Sequence, residues 1–327
     1  MVLPQLITEL PRDVRVVALG EDAHNVTEFY ELKDRILRYL VERHGFTAFV
    51  MESGFAEGLG VDAWLRGSPG EVADIAREGI TYRFGECAPM HRQLEWMRSR
   101  GTGFYGMDLP GSSTSPGPAV RAVADRMPGW DLGELLGLSE LGGRTEAAVR
   151  FAALSPPERN RLRTGLRALV ARSAGVADAV VRRAAASVAA FLAELEPVPA
   201  GSPYPRDVFM AETVRWVLER EERIVVSAHN AHVRRTPFEG RPMMGGLLHE
   251  ALGSELAVIA LTCGSGPAIR FVERSPRPFD WDVLLEEREP TGPGAPGAEY
   301  DALIHLDHAT LIPGAFERLR AEFQEYR

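Results

Sequence analysis

The chain has 327 residues, 45% hydrophobic and 25% charged, with a formal net charge of -9, which describes a globular protein with one large core plus an insertion. That charge argues against nucleic acid or an anionic membrane as a general partner, because both demand clustered positive charge, and leaves a small molecule as the expected ligand. Two cysteines, Cys87 and Cys263, outside any CxxC pattern, no basic-then-apolar leader and no apolar run of about 18 residues together predict a reduced, cytoplasmic protein that does not span a membrane.

Four apolar runs read as buried parallel-type strands: Val14 to Leu19, Thr47 to Met51, Gly103 to Met107 and Ile224 to Ala228, with Leu256 to Leu261 and Ala302 to Leu306 as additions. Between the first two, Phe29, Leu32, Ile36, Leu37, Leu40 and Val41 form a helical stripe over Glu28 to His44 that stops before Gly45, which makes one βαβ unit. A right-handed crossover then opens the carboxyl ends of both strands on the same side. Further helices are expected around Glu57 to Arg66, over His91 to Arg98, over Arg206 to Arg220 and in Gly240 to Gly253, where a loop leads into a helix ending at its glycine.

The turn-rich stretches Pro110 to Pro118 and Pro197 to Pro205 bracket an Ala-, Arg- and Leu-rich region without strand signals. It divides the chain into an α/β core of residues 1–109 and 206–327 and an inserted, cap-like helical subdomain, 110–205. Pro157 to Ser173 and Ala177 to Leu195 read as an antiparallel helix pair, their arginines as solvated faces. The segment Gly292 to Gly297 reads as a flexible loop before a final strand and helix. The fold class is therefore α/β, a mostly parallel sheet flanked by helices.

Glu21, His24, Glu52, His229 and His232 all fall at the ends of predicted strands, so three strands would bring them to one crevice. A carboxylate holding an imidazole in one tautomer makes a general base for water, and a second histidine can bind an oxyanion or protonate a leaving group. Two histidines and a carboxylate could instead hold zinc or another divalent ion, an option that the His229/His232 pair leaves open. No GxSxG elbow supplies a serine nucleophile, and GEDAH matches neither phosphate-loop pattern.

Several segments resemble the erythromycin esterase family, which includes proteins labelled succinoglycan biosynthesis proteins. They are GEDAHNVTEF at Gly20 to Phe29, FVMES at Phe49 to Ser53, RDVFMAETVRW at Arg206 to Trp216 and SAHNAHVRR at Ser227 to Arg235, supported by FYGMDL, MGGLLHEALG and YDALIHLD. The resemblance implies His24 as the histidine that activates water, Glu21 and Glu52 as its acidic partners, and His229 and His232 as a second active-site pair. It implies hydrolysis of an ester or lactone, a macrolide lactone in members of this kind, with no obligatory cofactor. Asn25 stands where the family has glycine, and Lys33 where an arginine is expected. These two, with Asp108, Arg206 and Asn230, are the candidate substrate contacts. The same acid–base set would also serve a natural-product tailoring enzyme performing elimination, dehydration or cyclisation, or would persist in a non-catalytic binding homologue.

Overall fold

The computed structural model describes residues 5–142, 144–275, 281–289, 292 and 294–325. Among the described residues there are eight strands: β1 (Val16–Leu19), β2 (Ala48–Gly54), β3 (Gly103–Asp108), β4 (Ile224–Ser227), β5 (Leu256–Cys263), β6 (Pro267–Glu273), β7 (Trp281–Glu287) and β8 (Ala302–Leu306). Six form an entirely parallel sheet in the order β3-β2-β4-β1-β5-β8. The apolar runs of β1, β2 and β4 are buried along their whole length, as expected for strands covered on both faces.

β1 and β2 are parallel but not neighbours, because β4 pairs with both. The chain leaves β1, crosses to β2 and β3, and returns through the inserted helices to fill the gap. The carboxyl ends of three adjacent strands, β2, β4 and β1, therefore lie side by side, and three loops distant in sequence meet there.

The helix Thr27–His44 covers one face with Phe29, Leu32, Ile36, Leu37 and Leu40 and ends at Gly45 in a left-handed cap, whose N–H reaches the Leu40 carbonyl. On the other face, the helix Pro205–Leu218 packs Met210, Val214 and Val217 against β4 and β2. The region between Pro110 and Pro205 contains the helices Gly117–Arg126, Gly133–Ser139, Arg144–Ala153, Pro156–Ser173 and Ala179–Glu194. Ser155 and Glu158 form a reciprocal capping box on the fourth, and Asp178 caps the fifth. Leu162, Leu166 and Leu169 bury against Val181, Ala184 and Val188, and this cluster continues into Phe55, Leu109 and Phe209 of the flanking helices and β3 end. Most arginines here face solvent, but Arg183 is buried and donates to the Phe209 carbonyl at 3.0 Å.

The helix Val72–Gly79 and the antiparallel hairpin β6–β7 are among the elements without a counterpart in the apolar patterning. β6 has no fully buried side chain and β7 only Val283, so neither strand carries an apolar run or a clean alternation. Pro293, within the expected 292–297 loop, lies outside the described residues.

The helix Phe55–Leu65 lies directly on the sheet backbone, with a Cβ built on Gly58 falling 2.7 Å from the Gly106 amide nitrogen of β3. Gly60, in the same helix, has nothing within 4 Å. Urea unfolding is expected to show Gly58→Ala destabilised by about 1–3 kcal/mol through overpacking. Gly60→Ala, gaining only helix propensity, is expected to be neutral or stabilised by up to about 1 kcal/mol.

Candidate active site

The loop after β1 and the loop after β4 are laced together by backbone bonds. Ala228 N–H donates to the Leu19 carbonyl at 3.2 Å and Asn230 N–H to the Glu21 carbonyl at 2.7 Å. Glu52 lies inside β2, where the pairing with β3 slips between Met51 and Gly54, an irregularity of the kind that re-aims a side chain. Its Oε2 accepts the backbone N–H of His229 at 2.7 Å, which ties the end of β2 to the same loop.

Glu21 is buried and serves two partners. One carboxylate oxygen meets His24 Nδ1 at 2.7 Å, the other accepts from Lys33 Nζ at 2.7 Å, and Lys33 also donates to Ser227 Oγ at 3.0 Å. Burial alone would raise the Glu21 carboxyl; the Lys33 ammonium and the His24 hydrogen bond outweigh it and hold the group below its ordinary value. An ionised carboxylate only accepts, so His24 donates from Nδ1, and among the described residues its Nε2 has no hydrogen-bond partner. The His24 ring lies 4.8 Å from that of Phe84 and 5.1 Å from that of His229.

His229 presents the opposite function. Its Nδ1 accepts the Ala231 N–H at 3.1 Å, so the neutral ring carries its proton on Nε2. Burial and the neighbouring His24 push its pKa down to about 4, against the pull of Glu52 and Glu21. It is thus a neutral donor at neutral pH. His232 shifts the other way: burial opposes its charge, but Glu52, 3.5 Å from Nε2, and Asp207, 2.9 Å from Nδ1, raise it above its usual value.

Arg206 is spent inside this half of the site. Its Nε and Nη2 bind the two oxygens of Asp108 at 2.6–3.1 Å, and Nη2 also reaches Glu52 at 2.8 Å. Against burial, which would raise it, His232, Arg206 and the His229 N–H keep the Glu52 carboxyl far below the ordinary carboxylate range.

Glu21, His24, Glu52, His229 and His232 therefore come together at the carboxyl ends of β1, β2 and β4. The candidate substrate contacts are placed differently from one another. Lys33, Asp108 and Asn230 are 5%, 0% and 8% exposed. Lys33 and Asp108 hold Glu21 and Arg206, and Asn230 donates through Nδ2 to the Leu261 carbonyl at 2.9 Å, with its Oδ1 turned against Gly20. Asn25, beside His24, has φ of 63° and passes its carbonyl to the Ile312 N–H at 2.8 Å. The left-handed backbone accounts for Gly in the family at this position and for Asn here, since both accept it.

Three contributors carried no sequence signal strong enough to single them out. Asp207 orients His232 and was visible only as the second letter of the Arg206-Asp207 pair. Tyr82 donates to Asp108 at 3.0 Å and meets Ser113 Oγ at 2.8 Å, and Phe84 packs on His24. Both aromatic residues ride on a loop fastened to β2 by Thr81, which binds the Ser53 hydroxyl and the Gly54 N–H. Among the described residues, no group of three His, Cys, Asp or Glu side chains is arranged to hold a metal ion. Among the same residues, no helix is long and apolar enough to cross a membrane.

The architecture and its crevice define a parallel α/β protein with paired carboxylates and three histidines at its strand ends. The sequence model of the erythromycin esterase family matches residues 41–290, and the chain belongs to that family, a membership that points to an esterase-like hydrolase. Over 296 residues it is 27% identical to erythromycin esterase type II of Escherichia coli, covering 78% of this chain and 70% of that protein. Over 290 residues it is 26% identical to erythromycin esterase type I of Escherichia coli, covering 77% and 69%. Of solved structures, a succinoglycan biosynthesis protein superimposes with a TM-score of 0.69 at 16% identity, over 91% of this chain and 89% of that one. A mutant of the erythromycin esterase EreC in its open conformation gives 0.68 at 21% identity, over 89% and 80%.

Two measurements check the geometry. Thermal unfolding of Asn25→Gly should match the native chain, whereas Asn25→Ala should lose about 1–2 kcal/mol to the left-handed backbone. His229, with its folded pKa depressed from 6.5 to about 4, contributes stability that is complete above pH 6.5 and is lost as pH falls toward 4. His229→Gln should flatten the decline in unfolding midpoint across that window.

Proposed function

We propose that this chain hydrolyses an ester or lactone in a small molecule, with His24 activating water. The observation that carries the reading is the opposed pair of imidazoles: His24, anchored by Glu21 with Nε2 unshared, faces His229, fixed as a neutral Nε2–H donor 5.1 Å away ring to ring. Water adds to the carbonyl carbon as His24 Nε2 takes its proton, and the oxyanion accepts the His229 N–H. The carbonyl re-forms as the C–O bond breaks, and the departing alkoxide takes a proton from the imidazolium form of His232, which Glu52 and Asp207 favour. This scheme needs no metal.

The curated relatives are named erythromycin esterases, which supports a macrolide or similar natural-product lactone as substrate. The 110–205 segment serves as a cap in this reading, supported by Glu194 at the end of its last helix, which accepts the Arg206 N–H at 2.8 Å. Cys87 and Cys263 are free and buried, which fits a reducing, cytoplasmic setting.

Replacing His24 by Gln should lower kcat/KM on a turned-over lactone by about 10²–10⁴-fold with the unfolding midpoint unchanged. Full activity in the folded variant would remove His24 from the mechanism. Reaction in ¹⁸O-labelled water should place one label in the product acid. An unlabelled product would replace hydrolysis by elimination or cyclisation at the same site. Exhaustive chelation should leave the rate intact, and loss of activity restored by zinc would overturn the metal-free scheme.

A further inference from the structure

His232 and Arg206 also line a cavity of about 370 Å³ that no step above uses. Its rim carries two aromatic rings, Tyr204 and Phe238, each 40% exposed, and Met243 lies in its wall. Neither ring is loose. Tyr204 is the residue from which the helix Pro205–Leu218 starts, and the Arg241 guanidinium sits 4.6 Å over its ring. Phe238 and Arg241 bridge a tight turn through two 2.9 Å backbone bonds, with Glu239 and Gly240 both at positive φ, and Arg234 lies 5.4 Å over the Phe238 ring. A pair of rings held in place at a cavity mouth can bury an apolar group at little entropic cost.

The charges around the cavity narrow the ligand. Arg206 is committed to Asp108 and Glu52, and Arg241 donates through Nη1 to the carbonyls of Pro199 and Ser202 at 2.7 and 2.8 Å. Glu194, Glu239 and Asp207 supply carboxyl groups in the same lining. An anion would meet these three carboxyl groups and a cation the Arg206 and Arg241 guanidiniums and His232, so the mixed lining suits an uncharged group.

Position narrows it further. His24 and His229 handle the water and the carbonyl oxygen, whereas the cavity begins at His232, the proton donor to the leaving oxygen. We propose that this cavity is the alcohol-side subsite, taking an uncharged, ring-bearing alcohol portion of the substrate between Tyr204 and Phe238. The assignment rests on the hydrolase reading for its orientation and on the cavity itself for its chemistry.

The test uses the whole protein and two ester series. In 2-naphthylmethyl acetate the ring is on the alcohol side; in ethyl 2-naphthylacetate it is on the acyl side; ethyl acetate carries no ring. The Tyr204→Ala/Phe238→Ala double variant should lose about tenfold or more in kcat/KM on 2-naphthylmethyl acetate, mainly through KM, and keep its rate on the other two. Both side chains are 40% exposed, so the unfolding midpoint should fall only modestly, and a variant still folded at the assay temperature is the one compared. Fluorescence anisotropy of 2-naphthylmethanol, which involves no turnover, should show binding to the native chain and weaker binding to the variant. A loss confined to the acyl-side ester, or equal affinity of both proteins for the alcohol, would overturn the proposal. A native chain that binds the alcohol through these rings yet hydrolyses none of the esters would instead overturn the hydrolase reading.

Discussion

A buried carboxylate must be compensated or it will not stay ionised, and the site depends on how Glu21 meets that demand. Lys33 supplies the formal countercharge from the buried face of the helix Thr27–His44, so the His24 contact is left to set geometry. Ser227 at the end of β4 takes another Lys33 donor. Helix, β1 loop and β4 are thereby fixed relative to one another by one ammonium group. The tautomer of His24 follows, because the only role left for Nδ1 beside an ionised Glu21 is donation.

The second half of the crevice is built by the same logic with more members. Asp108, Glu52 and Asp207 surround Arg206 and His232, and each carboxylate has at least one further donor: Tyr82 or Leu109 N–H for Asp108, His229 N–H for Glu52, Met244 N–H for Asp207. The two halves are joined through consecutive backbone amides after β4, since His229 N–H belongs to Glu52 and Asn230 N–H to the Glu21 carbonyl. Between them the histidines shift in opposite directions. His229 is driven down by burial beside His24, and His232, more deeply enclosed, is pulled up by its two carboxylates. Groups whose environments push their pKa values apart are the ones fit to divide acid and base roles.

Much of this was legible from residue order alone, because buried parallel strands leave uninterrupted apolar runs and the functional side chains sit where those runs stop. The α/β class, all six strands of the main sheet and the convergence of Glu21, His24, Glu52, His229 and His232 follow from that rule. The position of β4 between β2 and β1 does not, since strand order depends on a crossover that no local pattern encodes. The depth of Lys33, Asp108 and Asn230 was hidden for a similar reason: a charged residue at a strand end looks the same whether it faces a ligand or supports the group that does. Tyr82 and Phe84 come from a loop whose place depends on Thr81 and Ser53 meeting across the β2 irregularity. Asn25 shows the reverse case, a departure within a recognisable motif that has a backbone cause.

Lys33 is the single lysine of the chain, set against a surface whose basic side chains are otherwise guanidinium groups. With its ammonium enclosed between Glu21 and Ser227, the folded protein exposes no lysine to amine-directed reagents. Acylation or cross-linking at a lysine side chain is then a chemical report on exposure of that one ammonium, through opening of the strand-end cluster around Glu21 or unfolding of the chain.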